Sequence, residues 1–222
     1  MRKHSMFIGW PMRDSKRHRF SMPNEIWDQK LRPIEFIIFS CLCYYQSHNP
    51  SDEITLQMIA NSIHSTESTV KKYIVSLINK GLITGEQALT ANLQCTSCKN
   101  FFTLPNEIFL LKLPPSAFMV YAYLLLIEDR KTHTCHPSYN TITAETGLSK
   151  NTALKSIDVL LEVGLITVKP SSYFDRHGMK WKGNNLYTIL PIYSAMDTFH
   201  QRQLRQLEID AARSRLAAQS AV

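Results

Sequence analysis

Residues 138–167 read SYNTITAETGLSKNTALKSIDVLLEVGLIT, and their punctuation lays out two helices, a tight turn and the start of a strand. Ser138 and Ser149 each stand where a helix begins, and a serine oxygen can accept the free N–H groups of a first turn. Gly147-Leu148 makes the turn between the helices. Beyond Ser149, Leu154, Ile157, Leu160 and Leu161 recur at helical spacing and are expected to face inward. Gly164 then stops the helix as a left-handed C′ residue, and LIT opens an extended segment.

Outward from this stretch the pattern continues. Upstream, SAFMVYAYLLLIEDR begins at Ser116 behind Pro114 and Pro115 and predicts a long apolar helix. Downstream, LITVKPSSYF and WKGNNLYTIL predict two strands joined through Asp175-Arg176-His177-Gly178.

The same order occurs once before. FSMPNEI at 20–26 matches FTLPNEI at 102–108, an offset of 82 that also pairs Pro33 with Pro115 and Phe36 with Phe118. KGLIT at 80–84 matches VGLIT at 163–167, an offset of 83, so the second copy carries one extra residue between these anchors. In the first copy a helix runs from Ile34 through IEFIIFSCLCYYQ, with Pro33 at its start, where a missing N–H costs little. Thr55 caps a helix bearing Leu56, Ile59, Ala60 and Ile63. Thr66 caps another with Val70, Ile74, Leu77 and Ile78 on one face, and Gly81 ends it. Helix, helix, turn, helix, strand, loop, strand is a winged helix-turn-helix layout. The expected fold is therefore mainly α with small β-wings (α+β), as two tandem winged-helix domains plus a C-terminal helix. The expected boundaries are a basic arm at 1–19, a first domain at 20–101, a second at 102–192 and a closing helix at 193–222. That helix, polar with sparse Leu204, Leu207, Ala211 and Leu216, is open to packing back, to pairing with another chain or to fraying.

The stretch 132–166 resembles the helix-turn-helix domains of phage and mobile-element replication proteins and bacterial regulators. The likeness rests on Cys135-His136-Pro137-Ser138, the Gly147–Ser149 turn, Lys150-Asn151-Thr152 and Gly164-Leu165-Ile166. GNNLYTI at 183–189 looks like the returning wing strand. Paired winged helices in one short chain resemble plasmid replication initiators. The resemblance implies double-stranded DNA as partner, in replication initiation or transcription regulation in a bacterial mobile element. Replication or transcription machinery would be a further partner. The first copy departs from the pattern: His64 and Ser65 stand where the turn has glycine and an apolar residue. A left-handed position tolerates histidine better than most other side chains, so the turn can survive.

The third helix of such a motif lies in the major groove and presents its N-terminal residues to base edges. In the first copy those facing away from the apolar stripe are Glu67, Ser68, Lys71 and Lys72. In the second they are Lys150, Asn151, Thr152 and Lys155, with Ser149 at the cap. Asparagine can bond adenine through two hydrogen bonds, and lysine can reach guanine or a phosphate, which makes Asn151 the foremost base reader. The second wing adds Lys169, Arg176, His177, Lys180 and Lys182, with Tyr173 and Trp181 among them, suited to phosphate or minor-groove contact. The arm adds Arg13, Lys16, Arg17 and Arg19, although Phe7, Ile8 and Trp10 suggest that part of it packs on a domain. The formal net charge of +7 suits a polyanion. One chain would span successive major grooves roughly 34–36 Å apart. Pairing with a second copy is left open, as is the alternative of a winged-helix protein-interaction scaffold that reads no DNA.

Other chemistry lacks its residues. Cys95-x-x-Cys98 is half a zinc site with no second pair, so no metal is expected. There is no glycine-rich phosphate loop, and the carboxylates are scattered, so neither cofactor nor catalysis is expected. Tyr44 and Tyr45 lie in an apolar helix and read as core. No signal peptide is evident and no segment has the roughly 20 apolar residues of a membrane span. Five cysteines with no secretory signal suggest free thiols and a cytoplasmic setting, with no membrane partner.

Overall fold

Two helices carry apolar residues on every side, and such helices are stable only when surrounded. Residues 35–43 of the first and 117–125 of the second are buried without exception. The computed structural model describes residues 18–48, 53–84, 90–91, 100–174 and 176–219. Arg13, Lys16, Arg17, Cys95, Cys98 and Asp175 lie outside these, as do Phe7, Ile8 and Trp10.

The described elements open with strand β1 (Arg19–Pro23) and a 3-10 segment (Asn24–Gln29), then α1 (Pro33–His48), α2 (Leu56–Ser62) and α3 (Glu67–Asn79). Short strands β2 (Ile83–Thr84) and β3 (Thr90–Ala91) pair antiparallel. The order then recurs: β4 (Phe101–Pro105), a 3-10 segment (Asn106–Leu111), α4 (Pro115–Ile127), β5 (Thr134–Cys135), α5 (Tyr139–Thr146) and α6 (Lys150–Val163). The wing follows as β6 (Ile166–Lys169), β7 (Ser172–Phe174), β8 (Lys180–Lys182) and β9 (Leu186–Ile189), and α7 (Ile192–Gln219) closes the chain. The architecture is mixed α+β with small antiparallel sheets, consistent with a winged helix-turn-helix layout.

All four expected caps form. Thr55, Thr66, Ser138 and Ser149 accept hydrogen bonds from the backbone N–H groups of Met58, Thr69, Thr141 and Thr152. Left-handed backbone falls at matched places in the two copies. Lys30 and Lys112 have φ of 43° and 52°, His64 and Gly147 have 52° and 68°, and Gly81 and Gly164 have 71° and 81°. His64 thus holds the turn that glycine makes in the second copy.

Three features go beyond the sequence expectation. First, the residues after the proline of PNEI wind into a 3-10 segment in each copy. Second, β5 joins β9 and β6 in one sheet, with Cys135 opposite Tyr187. Third, β1 and β4 pair with each other, antiparallel, in the register Phe20↔Leu104, Ser21↔Thr103 and Met22↔Phe102. Behind this ladder α1 packs on α4. Phe20 stacks on Phe109 at 5.9 Å, Trp27 lies 6.2 Å from Phe102, and Phe36 meets Phe118 edge-on at 6.2 Å. One hydrophobic core therefore runs through both halves of the chain.

Two inward assignments fall short. Leu154 is only partly buried, outside the core cluster. Leu161 is 39% exposed, because the α6 stripe turned to the core is Ala153, Ile157 and Leu160. Tyr44 packs between Phe20 and Phe109, while the Tyr45 hydroxyl meets Ser62 Oγ at 2.7 Å, so both tyrosines are structural. The start of α7 docks through Ile192 and Ala195, and the Arg202 guanidinium donates to the Glu162 carbonyl. Residues 201–215 are exposed throughout. Among the described residues no helix is long and apolar enough to cross a membrane.

Candidate nucleic-acid interface

The site is built on α6. Its core stripe is anchored on α4, which leaves the opposite face to solvent. Ser149 fixes where that face begins. Its Oγ accepts the Thr152 N–H at 3.2 Å and lies 2.8 Å from the Thr152 hydroxyl. The cap thereby uses both side chains locally. Lys150, Asn151 and Lys155 are exposed beyond it, and Thr152 is half-buried.

The first copy is built alike. Thr66 Oγ1 takes the Thr69 N–H at 3.3 Å and lies 3.0 Å from Ser68 Oγ. Ser68, Lys71 and Lys72 are exposed, with the Lys72 ammonium 5.7 Å from the centre of the Tyr73 ring. Glu67 is exposed where the second copy has Lys150, so this face is less basic at its leading position.

The α3 face is held by an ion pair whose carboxylate is buried and whose lysine is 34% exposed. The Glu35 carboxylate, 2% exposed, receives Lys80 Nζ and Ser76 Oγ from the end of α3, and the Arg32 backbone N–H. Burial alone would raise its pKa. The Lys80 bond, the Arg32 N–H and the Ser76 hydroxyl outweigh that, and the carboxyl is held below its ordinary value. In the second copy Ala117, Val159 and Val163 occupy the matching places.

The second wing stands beside α6. Its base is tied to the start of α5: Asn184 Nδ2 donates to the His136 carbonyl at 3.1 Å, and Asn185 Nδ2 to the Tyr139 hydroxyl at 2.9 Å. Between them is a cleft of about 230 Å³ lined by Ser138, Asn140, Lys150 and Gly183–Asn185. Asn140, exposed at the second position of α5, is a polar group that the sequence reading missed. Its only signal is its place after the Ser138 cap. Lys169, Arg176 and His177 are exposed on the wing. Lys180 and Lys182 lie on β8; their side chains, with those of Tyr173 and Trp181, lie outside the description. Tyr187 is fully buried, as expected of a core residue.

Arg19 is not placed with these residues. It lies on β1, where its Nε donates to Thr103 Oγ1 at 2.8 Å and its Nη2 to the Thr103 carbonyl at 2.7 Å. Its guanidinium ties β1 to β4.

Among the described residues no group of three or more histidine, cysteine, aspartate or glutamate side chains is placed to hold a metal ion. Cys41, Cys43 and Cys135 are free and buried. Desolvation pushes the Cys41 and Cys135 thiols up to about 12 and raises Cys43 as well.

Residues 111–166 match the family described as "Helix-turn-helix domain". That span contains α4, α5 and α6. A solved structure titled "Possible transcriptional regulator from Methanosarcina mazei Go1" is 16% identical, covering 50% of this chain and 89% of its own, with a TM-score of 0.33. No curated protein matches the chain.

Proposed function

We propose that this chain is a non-enzymatic, sequence-specific binder of double-stranded DNA, built from two winged helix-turn-helix units spanning 20–101 and 102–192. The observation that carries this is the α6 face: a capped helix start with Lys150, Asn151 and Lys155 exposed together, inside the span that matches a helix-turn-helix family. On this reading Asn151 reads a base edge, and Lys155 with the wing residues Lys169, Arg176, His177, Lys180 and Lys182 neutralises phosphates. In the first copy Ser68, Lys71 and Lys72 play the matching part. The likeness of 132–166 to mobile-element proteins supports a role in promoter control or replication initiation, with transcription or replication machinery as second partner.

Selection from a random duplex pool at two salt concentrations, followed by sequencing of the bound DNA, tests this. Enrichment of one motif, with binding that weakens steeply as salt rises, is the expected result. Salt-sensitive binding without enrichment would reduce the protein to a backbone binder. Absence of binding at low salt would remove DNA as the partner.

A further inference from the structure

The two copies meet through one surface used twice. Under the offset of 82, Ser21 and Thr103 are equivalent, and they are also partners at the centre of the β1–β4 ladder. Phe36 and Phe118 are equivalent and touch each other. Phe20 corresponds to Phe102 and Trp27 to Phe109, and the contact of Phe20 with Phe109 is returned by that of Trp27 with Phe102. Contacts that come back with the partners exchanged are the mark of a two-fold interface. A head-to-tail relation would set equivalent strands parallel and would not return the contacts. The chain thus contains an internal approximate dyad, passing between Ser21 and Thr103 and between Phe36 and Phe118.

A two-fold axis relating two reading helices imposes its symmetry on the DNA they share, as the half-sites of dimeric helix-turn-helix proteins mirror the protein dyad. The reading faces here are not identical. Thr69 and Lys72 recur as Thr152 and Lys155, but Glu67, Ser68 and Lys71 are replaced by Lys150, Asn151 and Leu154. The geometry points to a single chain that reads a composite site of two unlike half-sites in inverted orientation. This rests on the DNA-binding reading above and adds the polarity of the target.

The test makes the leading positions of the two faces alike. The full chain carrying Glu67→Lys and Ser68→Asn, both exposed positions, is put through duplex selection beside the wild type. The wild type is expected to enrich two dissimilar blocks, and the variant an inverted repeat of the block that Asn151→Ala disrupts. That repeat should bind the variant at least about tenfold tighter than the same blocks arranged head to tail, a factor worth about 1.4 kcal/mol. Enrichment of a direct repeat would overturn the proposal and leave DNA reading intact. So would a single block. Loss of enrichment in the wild type itself would overturn the underlying reading. Should the variant fail to fold by thermal melting, the hydroxyl-radical footprint of the wild type decides. Protections that match when each strand is read 5′ to 3′ support the dyad, and protections that repeat along one strand refute it.

Discussion

On the proposed function, base reading turns on Asn151. It follows Ser149 by two positions and is exposed on the face that α6 turns from the core. A bidentate asparagine contact discriminates by about 1–3 kcal/mol, so Asn151→Ala should weaken binding to the selected site about 5- to 150-fold and relax specificity at one position. Lys155→Ala should instead weaken all duplexes alike and make the salt slope shallower by about 1. Titration of specific and scrambled duplexes at several salt concentrations separates the two. Equal losses on both duplexes for Asn151→Ala would remove it from base reading. The turn residues give a second comparison. Gly147 has φ of 68° with open space where a Cβ would stand, so Gly147→Ala meets backbone strain alone and should cost about 1 kcal/mol. His64 bears that strain already at φ 52°. His64→Gly should therefore shift the urea midpoint upward while Gly147→Ala shifts it downward. A downward shift for both would mean that the His64 side chain stabilises the turn. These residues were legible because capping and left-handed turns depend on neighbours in sequence. Leu161 was misread because helical spacing alone admits a wider apolar stripe than the packing of Ala153, Ile157 and Leu160 fills.

At the scale of elements, the two copies solve one packing problem differently. The end of α3 is tied to α1 by Lys80 and Ser76 on Glu35, where the second copy has Val159, Val163 and Ala117 at the equivalent positions. Glu35 is buried but Lys80 is 34% exposed, so removing Glu35 leaves a cation that water can reach and costs about 1–3 kcal/mol, whereas replacing the whole pair with packed apolar groups is often neutral or stabilising. Glu35→Ala should lower the urea midpoint strongly. The combination Glu35→Ala, Ser76→Val, Lys80→Val should recover most of the loss. The pH dependence has a definite sign. Because folding depresses the Glu35 pKa, its contribution is complete above the ordinary carboxylate value and is lost as pH falls through the folded value. Stability of the wild type should therefore fall more steeply in acid than that of the triple variant. Parallel curves would show that the pair contributes nothing. No sequence pattern announced this network, since Glu35 and Lys80 are 45 residues apart. The β1–β4 pairing was hidden for the same reason. FSMP and FTLP are short and end in proline, and nothing local shows that each is the other's partner.

For the whole molecule, the consequence of the shared core is cooperativity. The sequence repeat suggests two units that meet at residue 101/102, yet Phe20, Met22, Phe102 and Leu104 are all at most 2% exposed in the ladder across that line. Trp27 packs against Tyr123 at 5.6 Å and Phe109 against Tyr44 at 5.4 Å, so the apolar face of each half is covered by the other. A half taken alone would expose that face to water at about 25 cal/mol per Å², a large fraction of the marginal stability of a small domain. The full chain should then unfold in one calorimetric transition whose van't Hoff and calorimetric enthalpies agree. Residues 102–222 expressed alone should aggregate or lack a cooperative transition. Two resolved transitions in the full chain, or a sharp one in the fragment, would sink this expectation. They would also loosen the fixed placement of α3 relative to α6 on which an inverted half-site arrangement depends. A rigid join between the two reading helices sets one spacing of the half-sites. Inserting base pairs between them should therefore abolish the combined affinity.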